Sequence, residues 1–215
     1  MENLKADGFV DPFPHMIIEN FYNPEELELI WEELDFYTKP GKLLAAKDFG
    51  GVVDKTNSHA LFLDHLYKGR YRKISSILTV TRKALCLNVV EPFSKIHDCC
   101  ELATTTNYDC TKIRYYHNGE SYAPHTDAQM YFLIFTYFNK EPKKFSGGEL
   151  YFPKYDYQFP CNNNSLIIFP GWVEHGVKEV KIEDSEYYEG YGRYAITHFL
   201  KCIHRDENKS KSDTV

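Results

Sequence analysis

The sequence predicts an α+β protein that is mainly β, with helices in its N-terminal half and strands in its C-terminal half. Helix signals concentrate between about residues 20 and 103. From about Lys112 onward the chain consists of short apolar or alternating runs separated by Gly, Pro and Asn. Runs of this kind are typical of the strands of a sandwich or barrel. A chain of 215 residues is also long enough to bury the core of one domain.

The first predicted elements are a strand and a helix. The apolar, β-branched run PFPHMIIENF (12–21) predicts the strand. The segment NPEELELIWEELDFY (23–37) predicts the helix, because Asn23 suits the N-cap and Pro24 suits the first helical position. The glutamates that follow favour the positive end of the helix dipole. Its apolar stripe consists of Leu27, Ile30, Trp31 and Leu34.

The segment after this helix is less regular. Residues 38–58, which include Gly50 and Gly51, predict a long irregular loop, and such a loop serves either as a lid or as plain surface structure. Residues 60–103 are expected to be mostly helical, since apolar residues recur near helical spacing. The apolar positions that indicate this are Ile74, Ile77, Leu78 and Leu85.

The C-terminal half is expected to form a double-stranded β-helix, or jelly-roll, core that the N-terminal helices buttress. The strands are expected in TKIRYYHNG, MYFLIFTYFN, GGELYFP, SLIIFP, WVEHGVKEV and GRYAITHFL. Because no internal repeat or second domain is evident, we predict one domain over residues 1–204. Within it the helical support spans about 20–103 and the jelly-roll about 104–203. The polar tail, residues 205–215, is expected to be disordered.

Composition and charge narrow the function classes. The formal net charge is −6 and no strong basic stripe occurs, which argues against a nucleic-acid partner. The N-terminal residues lack the pattern of a signal peptide, and no apolar run reaches membrane-spanning length. We therefore expect a cytoplasmic protein without a membrane partner. The six cysteines form no CxxC motif and are expected to be reduced, structural thiols.

The clearest candidates for chemistry are His125 and Asp127, in SYAPHTDAQM. Alternate residues of a strand project from the same face, so these two side chains can aim at one point. His175, which follows a turn that Gly171 permits, is the candidate third ligand from a later strand. Two histidines and one carboxylate leave three positions of an octahedral metal open, as in the facial triad of non-haem Fe(II) oxygenases. Zinc would more often be closed by a fourth ligand.

Arg193 is a candidate anion-binding residue on a later strand. In GRYAITHFL, alternation places Arg193, Ala195 and Thr197 on one face. An arginine buried on the inner face of a sheet is costly unless it meets an anion. A planar guanidinium suits a bidentate carboxylate. The alternative is an edge arginine that points to solvent.

These motifs, taken in order, resemble a known family. The series RYYHNGESYAPHTD, FTYFN, GGELYFP, LIIFP, EHGVKEV and GRYAIT resembles the prolyl-hydroxylase-like branch of the Fe(II)/2-oxoglutarate dioxygenases. The resemblance is strong over about residues 108–200 and weaker over 12–37, where PFPHMIIENFYNPEEL looks like the N-terminal strand and helix of that branch.

The resemblance implies two sets of site residues. The iron ligands would be His125, Asp127 and His175. The co-substrate residues would be Arg193 on the distal carboxylate of 2-oxoglutarate, Tyr137 assisting that arginine, Tyr115 lining the pocket and Thr197 beside it.

One feature departs from the family pattern. His175 and Arg193 are 18 residues apart, a longer gap than related enzymes commonly use. The additional residues, 180–191, are acidic and aromatic and are expected to form an extended hairpin. Because this insertion bears on the register of Arg193, Lys178 or Lys181 is the fallback partner for the carboxylate.

The implied activity is that of an oxygenase that uses Fe(II), 2-oxoglutarate and O₂, with ascorbate as a candidate accessory reductant. Decarboxylation of 2-oxoglutarate to succinate and CO₂ would drive hydroxylation of a substrate C–H bond. The favoured substrate is a prolyl residue in a peptide or protein, chosen by residues 38–58, 107–122 and the segment after His175. Tyr122 and Tyr131 suit the pocket and plain aromatic packing equally well.

Other functions stay open at this point. A non-enzymatic metal- or ligand-binding jelly-roll has the same fold signals. A cupin-like metal enzyme would not use 2-oxoglutarate, although such sites usually contain more histidines. Within the same family, other side chains or small molecules are alternative substrates. A nucleic-acid dealkylase is disfavoured, because the chain is acidic and no second arginine closely follows Arg193.

Overall fold

Two antiparallel sheets face each other, and aromatic side chains fill the space between them. The protein is described here by a computed structural model, which describes residues 6–49 and 55–203. The strands of these residues are β1 (Ala6–Phe9), β2 (His15–Ile18), β3 (Leu44–Ala45), β4 (His59–Phe62), β5 (Tyr108–Tyr116), β6 (Tyr122–His125), β7 (Phe132–Phe138), β8 (Ser146–Gly147), β9 (Leu150–Phe152), β10 (Tyr157–Phe159), β11 (Ser165–Pro170), β12 (His175–Val177), β13 (Val180–Lys181) and β14 (Arg193–Lys201).

The helices are short, apart from the first. The α-helices are α1 (Pro24–Thr38), α2 (Leu63–Leu66), α3 (Ser76–Val80), α4 (Leu87–Ser94) and α5 (Asp184–Tyr188). Single turns and short runs of 3₁₀ helix occupy Gly69–Ile74, Thr81–Leu85, Asp98–Thr105 and Pro153–Tyr155.

The sheet topology is that of a jelly-roll. In the described residues the larger sheet has the order β1-β2-β11-β7-β14-β5-β4-β3, and the smaller one has the order β10-β9-β12-β6. The strands of both sheets pair antiparallel, and many spatial neighbours are distant in sequence. A short β8–β13 pair lies apart from both sheets. The predicted fold class, mainly β with a jelly-roll core, is confirmed.

Aromatic side chains join the two sheets. The ring of Phe152 on β9 lies 5.1 Å from that of Phe169 on β11, in an edge-to-face arrangement. The ring of Phe159 on β10 lies 5.6 Å from that of Tyr137 on β7. All four side chains are buried. Large aromatic side chains contribute most to the free energy of such a core, since each removes a large apolar area from water.

The N-terminal strand and helix support this core from outside, as predicted. β2 extends the larger sheet by pairing with β11. Helix α1 begins after Asn23, whose side chain accepts a hydrogen bond from the Glu26 backbone while the Glu26 carboxylate bonds the Asn23 backbone. Ile30 and Leu34 are fully buried, so the predicted apolar stripe faces the sheet.

The prediction for residues 60–103 was only partly correct. The segment contains α2, α3 and α4, but it opens with strand β4 and is interrupted by 3₁₀ turns. Ile77 and Leu78 are buried, whereas Ile74 is 67% exposed. Ile74 is the last residue of a 3₁₀ helix, and helix α3 begins after Ser75. Because a 3₁₀ helix has three residues per turn and an α-helix has 3.6, the side chain of Ile74 does not continue the apolar stripe.

The insertion at residues 180–191 also differs from its prediction. It forms the two-residue strand β13 and the short helix α5, not an extended hairpin. Tyr187 of that helix is buried against Tyr115, with ring centroids 4.3 Å apart. Tyr187 therefore packs on the outer face of β5, whereas Tyr188 is exposed.

The loop predicted at residues 38–58 is irregular apart from the two residues of β3. Gly50 and Gly51, on which the lid interpretation depended, lie outside the described residues, and so does the predicted tail. The single-domain assignment stays a prediction. Among the described helices, none combines the length and the apolar character that a bilayer crossing requires.

Candidate metal centre and co-substrate pocket

His125, Asp127 and His175 converge at the end of the smaller sheet. β6 pairs with β12 so that His125 lies directly opposite His175. Asp127 Oδ2 is 3.9 Å from His125 Nε2 and 3.8 Å from His175 Nε2, and one ligand atom from each residue lies within 4.8 Å of the others. These separations are too long for direct hydrogen bonds, so the three groups surround a common point rather than bond one another. The structure thus brings together all three predicted ligands.

Both imidazole rings are held by a backbone carbonyl. His125 Nδ1 lies 3.0 Å from the carbonyl oxygen of Ala123, and His175 Nδ1 lies 2.9 Å from that of Val173. A carbonyl oxygen can only accept, so each Nδ1 carries the hydrogen and each Nε2 keeps a lone pair directed at the common point. Histidine ligands of metals are commonly oriented in this way.

The electrostatics of the pair favour neutral imidazoles. Burial, together with the neighbouring His125, lowers the pKa of His175 to about 4. Burial also lowers the pKa of His125. A neutral ring is the form that binds a metal ion, so at neutral pH no proton has to leave either histidine.

The loop that carries Asp127 is fixed by close backbone contacts. Asp127 N donates to the carbonyl of Gly171, 2.9 Å away, and Met130 N donates to the carbonyl of Asp127. A Cβ at position 171 would lie 2.4 Å from Met130 O and 2.6 Å from Asp127 O. A glycine is therefore needed at position 171, because a side chain there would collide with the backbone of this loop. This role is more specific than the turn predicted from the sequence.

Arg193 lies on the inner face of β14 and is 1% exposed. Its Nε donates to the carbonyl of Gly148, and a guanidinium nitrogen lies 3.6 Å from Cys161 Sγ. Its Nη1 has no hydrogen-bond partner among the described residues, and no carboxylate there forms an ion pair with it. A buried guanidinium with an orphaned donor fits a site that receives an anion.

Tyr137 lies beside this arginine. The guanidinium carbon of Arg193 is 4.9 Å from the Tyr137 ring centroid and 4.7 Å from that of Tyr116. The Tyr137 hydroxyl is buried and also lacks a partner among the described residues. Burial raises its pKa, so it stays protonated and can donate. Two unpaired donors on neighbouring residues match the requirements of one carboxylate group.

The structure does not place Tyr115 in the pocket. Its ring stacks between Tyr187 and Tyr194 on the outer face of the sheet, and its hydroxyl donates to the Tyr187 carbonyl. Tyr116 occupies the inner position, because successive residues of β5 face opposite sides. The expectation for Tyr115 came from the family resemblance, whereas the face of β5 that turns toward the pocket carries Tyr116.

Of the remaining predicted residues, some line the pocket and others lie outside it. Thr197 is buried and lines the pocket, as does Tyr122, whose ring stacks on His125 at 3.9 Å between centroids. Tyr131 is not among the residues that line it. The fallback lysines are also elsewhere: Lys178 is exposed and bonds Gln158, and Lys181 is exposed on β13.

The sequence interpretation missed two cations in this pocket, Lys112 and Arg114. Both lie on the inner face of β5, at the same alternation as Tyr116, and both line the pocket with the three candidate ligands. Burial and the nearby Arg114 lower the pKa of Lys112 to about 7. The pocket has a volume of about 20 Å³, well below the range for small-molecule sites, so its walls lie close together.

The family comparison agrees with the motifs. Residues 111–201 match the family model described as the 2OG-Fe(II) oxygenase superfamily. These residues include all three candidate metal ligands and Arg193. The resemblance to the Fe(II)/2-oxoglutarate dioxygenases is thereby confirmed for the jelly-roll part of the chain. No curated protein matches the sequence.

Solved structures share the fold at low sequence identity. A prolyl-4-hydroxylase from Pseudomonas putida is 11% identical, with a TM-score of 0.56 over 88% of this chain and 93% of that one. A viral collagen prolyl hydroxylase from Paramecium bursaria Chlorella virus-1, solved as a 2OG complex, is 14% identical, with a TM-score of 0.54 over 91% and 100%. A 2OG-Fe(II) oxygenase family oxidoreductase from Burkholderia pseudomallei is 14% identical, with a TM-score of 0.57 over 87% and 84%.

Proposed function

We propose that this protein is an Fe(II)- and 2-oxoglutarate-dependent hydroxylase. His125, Asp127 and His175 would hold the iron, and Arg193 with Tyr137 would bind the distal carboxylate of 2-oxoglutarate. The observation that carries the proposal is the combination of an open three-ligand cluster with a buried arginine whose Nη1 is unpaired among the described residues. A structural metal site would not require that arginine, and its coordination shell would be closed.

The bound iron would supply oxidation of a substrate C–H bond, coupled to conversion of 2-oxoglutarate into succinate and CO₂. The protein's own residues would bind and orient the reactants. The carbonyls of Ala123 and Val173 hold the two imidazoles with Nε2 toward the metal position. The aromatic walls, Phe135 and Tyr122 among them, would limit the access of water to the pocket.

A prolyl residue in a peptide or protein is the proposed substrate. The support is the fold shared with prolyl hydroxylases from a bacterium and a virus. Ascorbate is proposed only as an accessory reductant that keeps the iron ferrous. We also propose that the protein acts in the cytoplasm.

Two measurements test the activity. Anaerobic protein mixed with Fe(II) and 2-oxoglutarate is expected to develop a weak visible metal-to-ligand absorption band. Under air with Fe(II) and ascorbate, the wild type is expected to form succinate from 2-oxoglutarate, whereas His125→Ala and Arg193→Ala are not. Absence of the band in folded wild-type protein would contradict the proposal, because chelation does not require the substrate.

A further inference from the structure

Two pocket cations, Lys112 and Arg114, have no role in the proposed reaction. The Lys112 ammonium lies between two aromatic rings, 4.8 Å from the centroid of Phe62 and 4.6 Å from that of Phe199. The Arg114 guanidinium carbon lies 4.8 Å from the ring centroid of Tyr122, which stacks on His125. Both cations are thus placed beside the candidate metal centre.

The partners of Arg114 are neutral. It is only 5% exposed, and its Nη1 donates to the hydroxyls of Ser58 and Thr56. Within residues 6–49 and 55–203, neither Arg114 nor Lys112 forms an ion pair with a carboxylate. An arginine is always charged, and removing it from water without a counter-ion is unfavourable. This arrangement resembles that of Arg193, whose proposed counter-ion is the co-substrate.

The charged components of the proposed reaction would not neutralise Lys112 and Arg114. A ferrous ion, the Asp127 carboxylate, doubly charged 2-oxoglutarate and Arg193 would together be neutral. Among the described residues, the charge of Arg114, and that of Lys112 when it is protonated, would then have no counter-ion. The remaining component of the reaction, the substrate, would supply an anion at this position.

Arg114 also faces the interior rather than the solvent. Strand β4 pairs with β5 along the edge of the larger sheet, and Thr56 pairs with Tyr122 at the edge of the smaller one. Residues 55–62 therefore join the two sheets and close this side of the pocket. An anion that reaches Arg114 must enter the same space that contains His125 and Asp127.

We propose that the substrate carries a carboxylate group that Arg114 and Lys112 bind next to the metal centre. The inference rests on the proposed function, because it assigns the anion to the substrate of that reaction. Two sources have this chemistry: the α-carboxylate of a free or C-terminal proline, and the side chain of an acidic residue adjacent to a prolyl residue. A fork of guanidinium donors suits either one.

Matched pairs of probes test the proposal. Protein loaded anaerobically with Fe(II) and 2-oxoglutarate is titrated in a calorimeter with N-acetylproline and with its neutral amide. The second pair is acetyl-Pro-Glu-amide and acetyl-Pro-Gln-amide, which places the carboxylate on a side chain. In at least one pair the carboxylate member is expected to bind at least about tenfold more tightly than the amide. The pair that shows the preference identifies the source.

Variants of Arg114 and Lys112 test whether these two cations cause the carboxylate preference. Arg114→Gln is expected to abolish the carboxylate preference while leaving the affinity for 2-oxoglutarate unchanged. Lys112→Gln is expected to reduce the preference, and it provides the test if Arg114→Gln fails to fold. Lys178→Gln removes an exposed charge outside the pocket and should behave like the wild type. The absorption band on loading reports on the proposed function separately, before any probe is added.

Three results would overturn the inference. The first is the absence of a carboxylate preference in both pairs. The second is a loss of 2-oxoglutarate affinity in Arg114→Gln as large as that in Arg193→Ala, which would make Arg114 a co-substrate residue. The third is tighter binding of acetyl-Pro-phosphoserine-amide than of either carboxylate, which would assign the cations to a phosphate.

Discussion

His125 and His175 are direct cross-strand partners, and each places Nδ1 against the carbonyl oxygen of the residue two positions before it. The two rings are 4.5 Å apart between centroids and present Nε2 to the same carboxylate. The metal-binding form of both ligands is therefore set by the backbone before any ion binds.

Replacing His175 by alanine should lower the affinity for Fe(II), or for Co(II) as a spectroscopic substitute, by more than about 100-fold, since the loss of second-shell partners alone costs about 10- to 100-fold. Metal binding is followed by titration and absorption spectroscopy. His65→Ala is the control, because His65 is exposed and is not one of the residues that line the pocket. Equal metal affinity in the two variants would show that His175 is not a ligand.

Replacing Gly171 by alanine should weaken metal binding without altering any ligand. The new Cβ would meet the backbone oxygens of Asp127 and Met130, and backbone atoms cannot move aside as a flexible side chain can. We expect a loss of about 1–3 kcal/mol in the free energy of unfolding, as for overpacking, together with a lower affinity for Co(II). Gly41→Ala, whose Cβ would meet nothing within 4 Å, should lower stability without changing metal affinity.

Arg193→Leu should lower the affinity for 2-oxoglutarate by about 100-fold or more, as expected when one partner of a buried charge pair is removed. Tyr137→Phe should cause a smaller loss of about fivefold, typical of one hydrogen bond. The absorption band, measured against 2-oxoglutarate concentration, gives both affinities. Lys178→Gln, which replaces the fallback residue, should bind normally. A larger loss in Lys178→Gln than in Arg193→Leu would reverse the assignment.

Tyr116 and Tyr115 should differ although they are adjacent. Tyr116→Leu removes a ring that supports the Arg193 guanidinium, so we expect about a 5- to 10-fold loss of 2-oxoglutarate affinity. Tyr115→Phe should leave that affinity unchanged. It should instead lower the free energy of unfolding by about 1 kcal/mol, because the hydroxyl loses its bonds to Tyr187 and Gly192. The opposite pattern would restore Tyr115 to the pocket.

The buried His198 should make stability depend on pH. Burial lowers its pKa from 6.5 to about 4, so on acidification the unfolded chain binds the proton first. The free energy of unfolding is therefore unaffected by this group above about pH 6.5 and falls as the pH drops toward 4. Urea unfolding of the wild type and of His198→Gln at pH 7.5 and pH 5 measures this effect. Between these two pH values we expect the free energy of unfolding to fall by about 2 kcal/mol less in the variant than in the wild type. An unchanged pH dependence in the variant would contradict the assignment.

Local signals in the sequence were sufficient for several elements. The cap at Asn23 and the apolar stripe predicted helix α1, because these signals act within a few residues of each other. Alternation predicted that Arg193 and Thr197 share a buried face. The ordered motifs around His125 and His175 indicated the family and hence the jelly-roll. Each of these inferences depends on residue type and short spacing, which the chain displays directly.

The tertiary structure decided what depends on contacts between distant segments. The sequence alone did not distinguish Tyr115 from Tyr116, since which face of β5 is the inner one follows from its pairing with β14 and from the packing of Tyr187 outside it. It also did not show that Arg114 is buried, because the segment that covers it is more than fifty residues away. Short-range pattern determined the elements and the candidate ligands. Burial and the absence of counter-ions among the described residues arise only when separate strands meet, and they define the pocket.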